Sequence, residues 1–572
     1  MPSYLFLFTI GPVQRFIDQS RKAHDMYAGS ALLCDMIQVA KAEIKTINNT
    51  VVFQFPSENS GLNRFLAKID IDSIDFQIVG AQVENAVRDY FKSQALCAYK
   101  AINPKATCLP PKWQQQIDSH LEIYWAFQPI ENNNYVDAYK AIEQTIGALK
   151  NTQLYCRTPE TGRKCGLDGI NNVVVYRKLT SSEVVDKKLH IPIANLNIVD
   201  KIAHQYKHIS KGEGLGAVGF TKRMYKSSET FKSTIEVAYH DFIFKIEKIK
   251  LENLNSLSNN NLQILDKDNL TEDFFTKNDL DNLNKIKPII EKIHKGSGAT
   301  YSDYYALIKF DGDNMGEWLS GSNCKYGVDL SVFHPALAEK LQTFAATARH
   351  LVNCVGGSTI YAGGDDFLGM LPLHKVLPTL QLLHNEFREQ VSNQLNAYKH
   401  PNFHITFSCG IAITHYKSPL QEALRLVNEM EHHAKMYSDK KAFAIGIQRH
   451  SGSLTRVRLP FEIGNVFTLK TTIDVINAIS EDFSATLFKN FDEEIKKLND
   501  LDSEVLKEFL NYAVPRAYKG NINEKKAKAK VEAMKTVLIA TLIIIDSFDG
   551  ENKVQKYRDY LNTCDFIKRQ CK

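Results

Sequence analysis

The sequence predicts an α+β chain: two ferredoxin-like βαββαβ modules, an irregular, zinc-finger-like helical segment between them, and a helical C-terminal domain. Three observations carry this. Short apolar runs and stretches with a 3.6-residue period follow one another in the same order near the N-terminus and again from residue 304. The residues between the two modules are polar and loop-like, most of all 253–284, where the composition predicts a flexible insertion. From Ser451 onward Lys/Glu-rich faces alternate with apolar ones such as Val537, Leu538, Thr541, Leu542 and Ile545, the signature of amphipathic helices. The predicted divisions are 1–150, 151–300, 301–450 and 451–572.

In the first module, 4–10 is an apolar strand broken by Gly11-Pro12. A helical pattern follows, with Val13, Phe16 and Ile17 and then Leu32, Leu33, Met36 and Ile37 on one face. Strands are expected at 51–55, 65–71 and 121–127, and a helix at 81–96. In the second module the elements are strand 304–310, a helix from Pro335 to Val352, strands 358–362 and 367–372, helix 375–395, strand 403–413, helix 419–438 and strand 442–447.

The composition sets wide bounds. Of 572 residues, 44% are hydrophobic and 24% charged, as in globular domains. A net charge of +5 argues against wholesale coating of nucleic acid but leaves room for a local basic groove. The ten cysteines form no close-spaced framework, and Met1-Pro2-Ser3 leads straight into a strand. The expectation is a cytoplasmic protein with reduced thiols. The longest apolar run, 537–545, falls short of the roughly 20 residues of a membrane span.

The chemistry concentrates in the second module. The strand Ala306-Leu307-Ile308-Lys309-Phe310 ends in Asp311-Gly312-Asp313-Asn314-Met315-Gly316, and the next two strands meet at Gly363-Gly364-Asp365-Asp366. In a βαββαβ sandwich the first strand lies beside the third, so Asp311, Asp365 and Asp366 converge. Like charges at short range are costly, and a divalent cation removes the cost. An oxygen-only ligand set favours Mg²⁺ or Mn²⁺, which complete their shells with substrate phosphates. Asp311, Asp365 and Asp366 are therefore the expected catalytic and metal ligands, two ions per site, acting on a substrate that carries phosphates. Gly363 and Gly364 allow a sharp turn and close approach to a nucleotide. Gly312 and Gly316 leave room for backbone amides to face phosphates, and Gly312, Asp313, Asn314 and Gly316 are the nucleotide-binding residues expected there. Lys435, on the helix after the fourth strand, is a candidate phosphate ligand. Gly-Gly-Asp-Asp is also simply a good hairpin turn; the Asp-Gly-Asp on the adjacent strand weighs against that reading.

At these residues the chain resembles the large palm-containing subunit of type III-B (Cmr-type) CRISPR effector complexes. The resemblance covers nearly the whole chain. It includes Ile10-Gly11-Pro12-Val13-Gln14-Arg15-Phe16-Ile17, Arg21-Lys22, Tyr27-Ala28-Gly29-Ser30, Asn63-Arg64-Phe65-Leu66-Ala67, the stretch from Gly216 to Arg223, the run Ile308 to Gly316 and the Gly-Gly-Asp-Asp turn. It implies two palm domains, the second holding the metals and the first helping to bind a second nucleotide. It further implies RNA-guided antiviral defence, in which ATP becomes a cyclic oligoadenylate second messenger once a complex of guide RNA and other subunits captures target RNA. Some relatives join AMP to S-adenosylmethionine instead. The small hydroxyl residue that the family uses for purines is matched by Ser30 in the first palm, whereas Ala338 occupies the corresponding helix of the second.

The chain departs from the family in two further ways. Many members start with an HD nuclease domain, and this sequence opens at the first palm; His24-Asp25 and His240-Asp241 read as structural, so no DNase activity is expected. The family's four-cysteine zinc element is reduced to Cys156 and Cys165, which His204 and His208 could complete as a tetrahedral Zn²⁺ site; otherwise it is a degenerate finger. A diguanylate-type cyclase and a catalytically inactive scaffold are the competing readings.

Overall fold

The computed structural model describes residues 2–48, 50–58, 62–70, 75–152, 162–176, 197–198, 209, 212–226, 231–248, 262–272, 283–296, 298, 300–480, 482–483, 493–495, 503–545, 547–548 and 553–571. They fall into two compact units. One contains 1–231, 314–346 and 390–404; the other contains 232–313, 347–389 and 405–572.

The first unit opens with β1 (Ser3–Gly11), α1 (Gln14–Asp18), α2 (Ala23–Ile47), β2 (Val52–Phe55), β3 (Arg64–Asp70), α3 (Phe76–Ile102), α4 (Pro111–Asp118) and β4 (Glu122–Pro129). Its sheet has the order β2-β3-β1-β4, antiparallel throughout. Strand β1 is buried on both faces, and alternation puts Phe6 and Phe8 on one of them, where Phe6 stacks on Phe127 at 4.4 Å and Phe8 on Phe65 at 5.6 Å. The single helical pattern expected after Gly11 is two helices. The Asp25 carboxylate accepts from the backbone N–H groups of Arg21 and Lys22, both at 3.0 Å, and so caps a fresh helix start there.

A second device fixes that break. Lys222 on α5 (Ala217–Met224) is buried and donates to the carbonyl of Gln19 at 2.7 Å, near the end of α1. Its neighbour Arg223, also buried, grips Asp25 through Nη2 at 2.8 Å and Glu213 at 3.2 Å. Burial alone would raise Asp25, but Arg223 outweighs it and holds the carboxyl below its usual value. His24 turns its Nε2 to the Tyr225 carbonyl at 3.2 Å. Each half of this His-Asp dipeptide thus has a packing partner, as the sequence reading anticipated.

In the second unit, β5 (Tyr304–Gly312), β6 (Ser358–Gly363), β7 (Asp366–Pro372) and β8 (Phe407–His415) take the order β8-β5-β7-β6. That repeats the order of the first sheet. The sheet continues through β9 (Ala442–Gln448), parallel to β8, to β10 (Leu454–Pro460). Strand β10 corrects the expectation of helix from residue 451: Arg456 and Arg458 alternate with buried Val457 and Leu459 along a sheet edge. Helix α6 (Val376–Phe387) covers one face and α7 (Leu420–Lys435) the other. Arg388–Ser392 after α6 winds as a π-helical turn instead of extending it. The helices α8 (Thr468–Ala478), α9 (Ser503–Ala517), α10 (Lys525–Ala540) and α11 (Lys553–Gln570) complete the unit. No helix among the described residues is long and apolar enough to cross a membrane.

Candidate active site

Strand β5 is buried along almost its whole length, and its alternation sorts two kinds of side chain. Phe310 faces α6, lying 4.8 Å from Phe367 with the rings 5° from parallel and 4.6 Å from Phe407. Lys309 and Asp311 face α7. Because Phe367 is in register with Phe310, the next residues outward, Asp366 and Asp311, fall at neighbouring strand ends. Asp366 is also in register with Gly363 across the hairpin, where Gly364 takes φ +64°. Glycine carries that conformation without steric cost, and its place at the first central position matches a type II′ hairpin.

The resulting electrostatics are strained. Asp366 is pushed up to about 7, first by burial, then by Asp311 and Asp365, with Lys309 and the Tyr361 hydroxyl opposing. The Tyr361 hydroxyl donates to Asp366 at 3.0 Å. Across from this, Lys435 on α7 is ion-paired with Asp311 and lies 3.1 Å from Glu431. Burial alone would lower Lys435, but Asp311 and then Glu431 raise it to about 12. Lys309 donates to Asn428 Oδ1 at 2.9 Å and sits 3.5 Å from Glu431. The helix supplies Asn428, Glu431 and Lys435 at i, i+3 and i+7, which places all three on one face.

One glycine sets the distance between helix and sheet. Gly410 on β8 is in register with Lys309. A β-carbon there would lie 2.2 Å from the Glu431 nitrogen and 2.6 Å from the Val427 carbonyl oxygen. Only a residue without a side chain lets the α7 backbone come that close, and the closeness brings Glu431 and Lys435 to Lys309 and Asp311.

The other expected site residues are placed as follows. Gly312 ends β5, and Asn314 turns left-handed at φ 55° to start the short helix Met315–Leu319. Gly316 has open space where a β-carbon would be. Asp313 is turned inward, which corrects the expectation of a phosphate-facing residue. It is buried, accepts from Ser408 at 2.7 Å, Thr406 at 2.8 Å and the Lys441 N–H at 3.2 Å, and burial pushes its carboxyl up. Ser30 is buried on α2 and Ala338 on the helix Leu330–Cys354. Cys165 is buried and pushed up, first by burial and then by Asp168; Cys156, His204 and His208 lie outside the described residues. His374 Nε2 donates to the Asp241 carboxylate at 2.8 Å, so the second His-Asp dipeptide is also packed.

Sequence reasoning missed Lys309, Tyr361, Glu431, Asn428 and Gly410. The one available signal was Lys309, a lone cation in an otherwise apolar strand. Oxygen donors at Asp311, Asp365 and Asp366 suit a hard divalent cation, and the raised Asp366 marks negative charge that such an ion would relieve. Among the described residues, no three acidic, imidazole or thiol side chains already close on a common point. Asp311 is instead held by Lys435.

Two family models match the chain. One describes the Cas10/Cmr2 second palm domain and covers 304–444; the other describes the N-terminal region of the CRISPR-associated protein Cmr2 and covers 5–118. The Cmr subunit Cmr2 of Pyrococcus furiosus is 26% identical over 307 residues, which span 48% of this chain and 33% of that protein. The matched region is thus about a third of that relative's length. Among solved structures, the type III-B Cmr-beta complex in its apo state contains a chain with TM-score 0.63 and 14% identity, covering 96% of this chain and 82% of that one. The Cmr-beta complex bound to cognate target RNA gives TM-score 0.61 and 14% identity, with 96% and 83% covered. The matches to the Cas10/Cmr2 second palm and to the Cmr2 N-terminal region, together with the Cmr2 relative, support a Cmr2-type large subunit of type III-B.

Proposed function

We propose that this chain is a nucleotidyltransferase whose second βαββαβ module, a palm, joins ATP molecules with release of pyrophosphate, and that the product is a cyclic oligoadenylate messenger. The observation that supports this most is the Asp366 carboxyl, held near pH 7 beside Asp311 and Asp365 at adjacent strand ends. A fold keeps repelling carboxylates together at a functional site where a cation and phosphates complete the charge balance.

On this reading Asp311, Asp365 and Asp366 would hold two Mg²⁺ or Mn²⁺ ions, which would supply positive charge to neutralise the donor triphosphate. Lys435 exchanges Asp311 for a donor phosphate, and Lys309 remains behind to balance Glu431. The backbone at Gly312, Asn314, Gly316, Gly363 and Gly364 faces the nucleotide, while Asp313 anchors the loop from below. Ser30 of the first palm is the residue assigned, by the family resemblance, to binding a second nucleotide. An acceptor hydroxyl attacks the α-phosphorus in line; the new P–O bond forms as the bond from the α-phosphorus to the bridging β-phosphate oxygen breaks, pyrophosphate leaves, and the hydroxyl proton passes to solvent. Positioning and preorganised charge supply most of the rate.

The four-part division at 150, 300 and 450 is our reading of domain organisation. So is the activation: specificity comes from guide–target pairing delegated to RNA, and target capture favours a catalytically aligned geometry. The test compares pyrophosphate release by the isolated chain, the guide-loaded complex and the target-bound complex. Turnover is expected only in the last. Equal rates in all three would make the chain a constitutive cyclase, and no turnover with target bound would make it a scaffold.

A further inference from the structure

We propose that His334 is a positioning residue for the donor ATP: clasped between the helix Tyr135–Asn151 and the short helix Met315–Leu319, it holds the backbone of Asn314 and Gly316 in the conformation that receives the nucleotide. This role rests on the nucleotidyltransferase reading above and names a residue that acts through others.

His334 lies near the start of the helix Leu330–Cys354 and is fully buried. It belongs, with Tyr135, Tyr139 and Leu319, to the first compact unit. Its Nε2 is 2.8 Å from the Leu319 carbonyl oxygen, and its Nδ1 is 2.9 Å from the Tyr135 hydroxyl. These partners fix the tautomer. A carbonyl only accepts, so Nε2 carries the proton, and Nδ1 accepts from Tyr135. Burial lowers the imidazole below its usual value, which favours this neutral form. The rings of Tyr135 and Tyr139, both buried on the helix Tyr135–Asn151, meet the imidazole edge to face at 5.5 and 4.9 Å. The ring therefore cannot turn over without breaking both hydrogen bonds.

The short helix needs this support. Met315–Leu319 has 5 residues, begins at the left-handed Asn314 and has no side-chain cap at its start. A helix so short is not stable by itself, and its last carbonyls find no partner within it. His334 supplies the partner at Leu319, while Trp318 is buried beside it. Backbone bonds carry that anchorage back along the turn. The Trp318 N–H donates to the Asn314 carbonyl at 3.1 Å, and the Ser320 N–H to the Gly316 carbonyl at 2.9 Å. A release at Leu319 is thus felt at Asn314 and Gly316, the two positions read as facing the nucleotide. Only Nε2 reaches the short helix; Nδ1 serves the other neighbour. Positioning and packing can therefore be separated by experiment.

The test uses two amides that each replace one nitrogen. His334→Gln puts an N–H near the place of Nε2, keeps Leu319 and releases Tyr135. His334→Asn puts an oxygen near the place of Nδ1, keeps Tyr135 and releases Leu319. Each leaves one buried group unpaired, so both should unfold at lower urea than wild type. Binding of α,β-methylene-ATP with Mg²⁺ to the target-bound complex is then measured by equilibrium dialysis. The asparagine variant should bind about tenfold more weakly, the worth of one buried hydrogen bond expressed as a conformer ratio. The glutamine variant and Tyr135→Phe should bind as wild type does. Hydrogen exchange on the isolated full chain should quicken at the Trp318 and Ser320 amides in the asparagine variant alone. Equal weakening by asparagine and glutamine would mean that His334 only fills space, and overturns the assignment. So does unchanged binding and exchange in the asparagine variant. Should that variant fail to assemble, the other two decide: weakened binding in either overturns the role of the Leu319 bond, and wild-type binding in both upholds it. Absence of binding by the wild-type complex would overturn the nucleotidyltransferase reading and this role with it, whereas a result confined to the variants leaves that reading standing.

Discussion

Replacing Gly410 by alanine tests how the sheet positions Lys435. The added carbon would lie 2.2 Å from the Glu431 nitrogen and 2.6 Å from the Val427 carbonyl oxygen, both helix backbone that cannot rotate away. An ordinary contact requires α7 to retreat by about 1 Å, taking Glu431 and Lys435 with it. Overpacking of this kind costs about 1–3 kcal/mol, and a 1 Å misplacement of a positioning group costs about 100-fold in rate. The chain should therefore still fold, melt earlier, and lose about two orders of magnitude in pyrophosphate release within the target-bound complex. Gly446→Ala is the matched control on the neighbouring strand. Its nearest atoms are Leu426 Cδ1 at 2.8 Å and Met430 Cγ at 2.9 Å, side chains that can rotate. It should keep turnover within a few-fold. Equal losses in the two variants, or normal turnover in Gly410→Ala, would refute the claim that backbone contact at Gly410 sets the site.

Asp365→Ala combined with Asp366→Ala should leave folding and assembly intact and cut pyrophosphate release by several orders of magnitude; near-normal product would remove these carboxylates from catalysis. Asp366 is raised in the fold from its ordinary 3.8 to about 7, so its ionisation opposes folding: stability falls as pH rises from about 4 to 7 and levels off above. Asp366→Asn should thus melt a few degrees higher than wild type at pH 8 and show no gain at pH 4, as read by calorimetry. The same carboxyl should make Mn²⁺ binding, followed by titration calorimetry, weaken steadily below pH 7. Arg223→Ala strands Asp25 and Glu213 in the interior and should cost about 3–5 kcal/mol in urea unfolding; a cost under 1 kcal/mol would mean that water reaches them.

The sheet strands of the second unit were legible because each combines an apolar run with a turn signal, as at Gly363-Gly364. The strand order then brings Asp311 and Asp366 to neighbouring ends. What was illegible depends on partners distant in sequence. Asp-Gly-Asp looks like two equivalent carboxylates, yet Asp313 is captured by Thr406 and Ser408, 93 and 95 residues away. Lys435 reads as a lone helical lysine until Gly410 brings its helix onto the sheet. The break between α1 and α2 is hidden because the apolar period continues across it, and the cap at Asp25 is stabilised from residue 223. Strand β10 was passed over because its arginines gave it the look of a solvated helix.

The grip of Arg223 on Asp25 spans 198 positions. A ribosome extends the chain at about 5–20 residues per second. For about 10–40 s after Asp25 has emerged, its counter-ion does not yet exist, and α2 waits with a carboxylate that the finished fold shuts away from water. The N-terminal sheet can pair its strands in that interval, but the start of α2 cannot be sealed. Fragments ending before Glu213 inherit the same defect permanently: a closed sheet, an uncapped α1 and an orphan charge. The start of α2 is therefore completed only by Arg223, and dissection of the N-terminal sheet into a free-standing module would have to begin by neutralising Asp25.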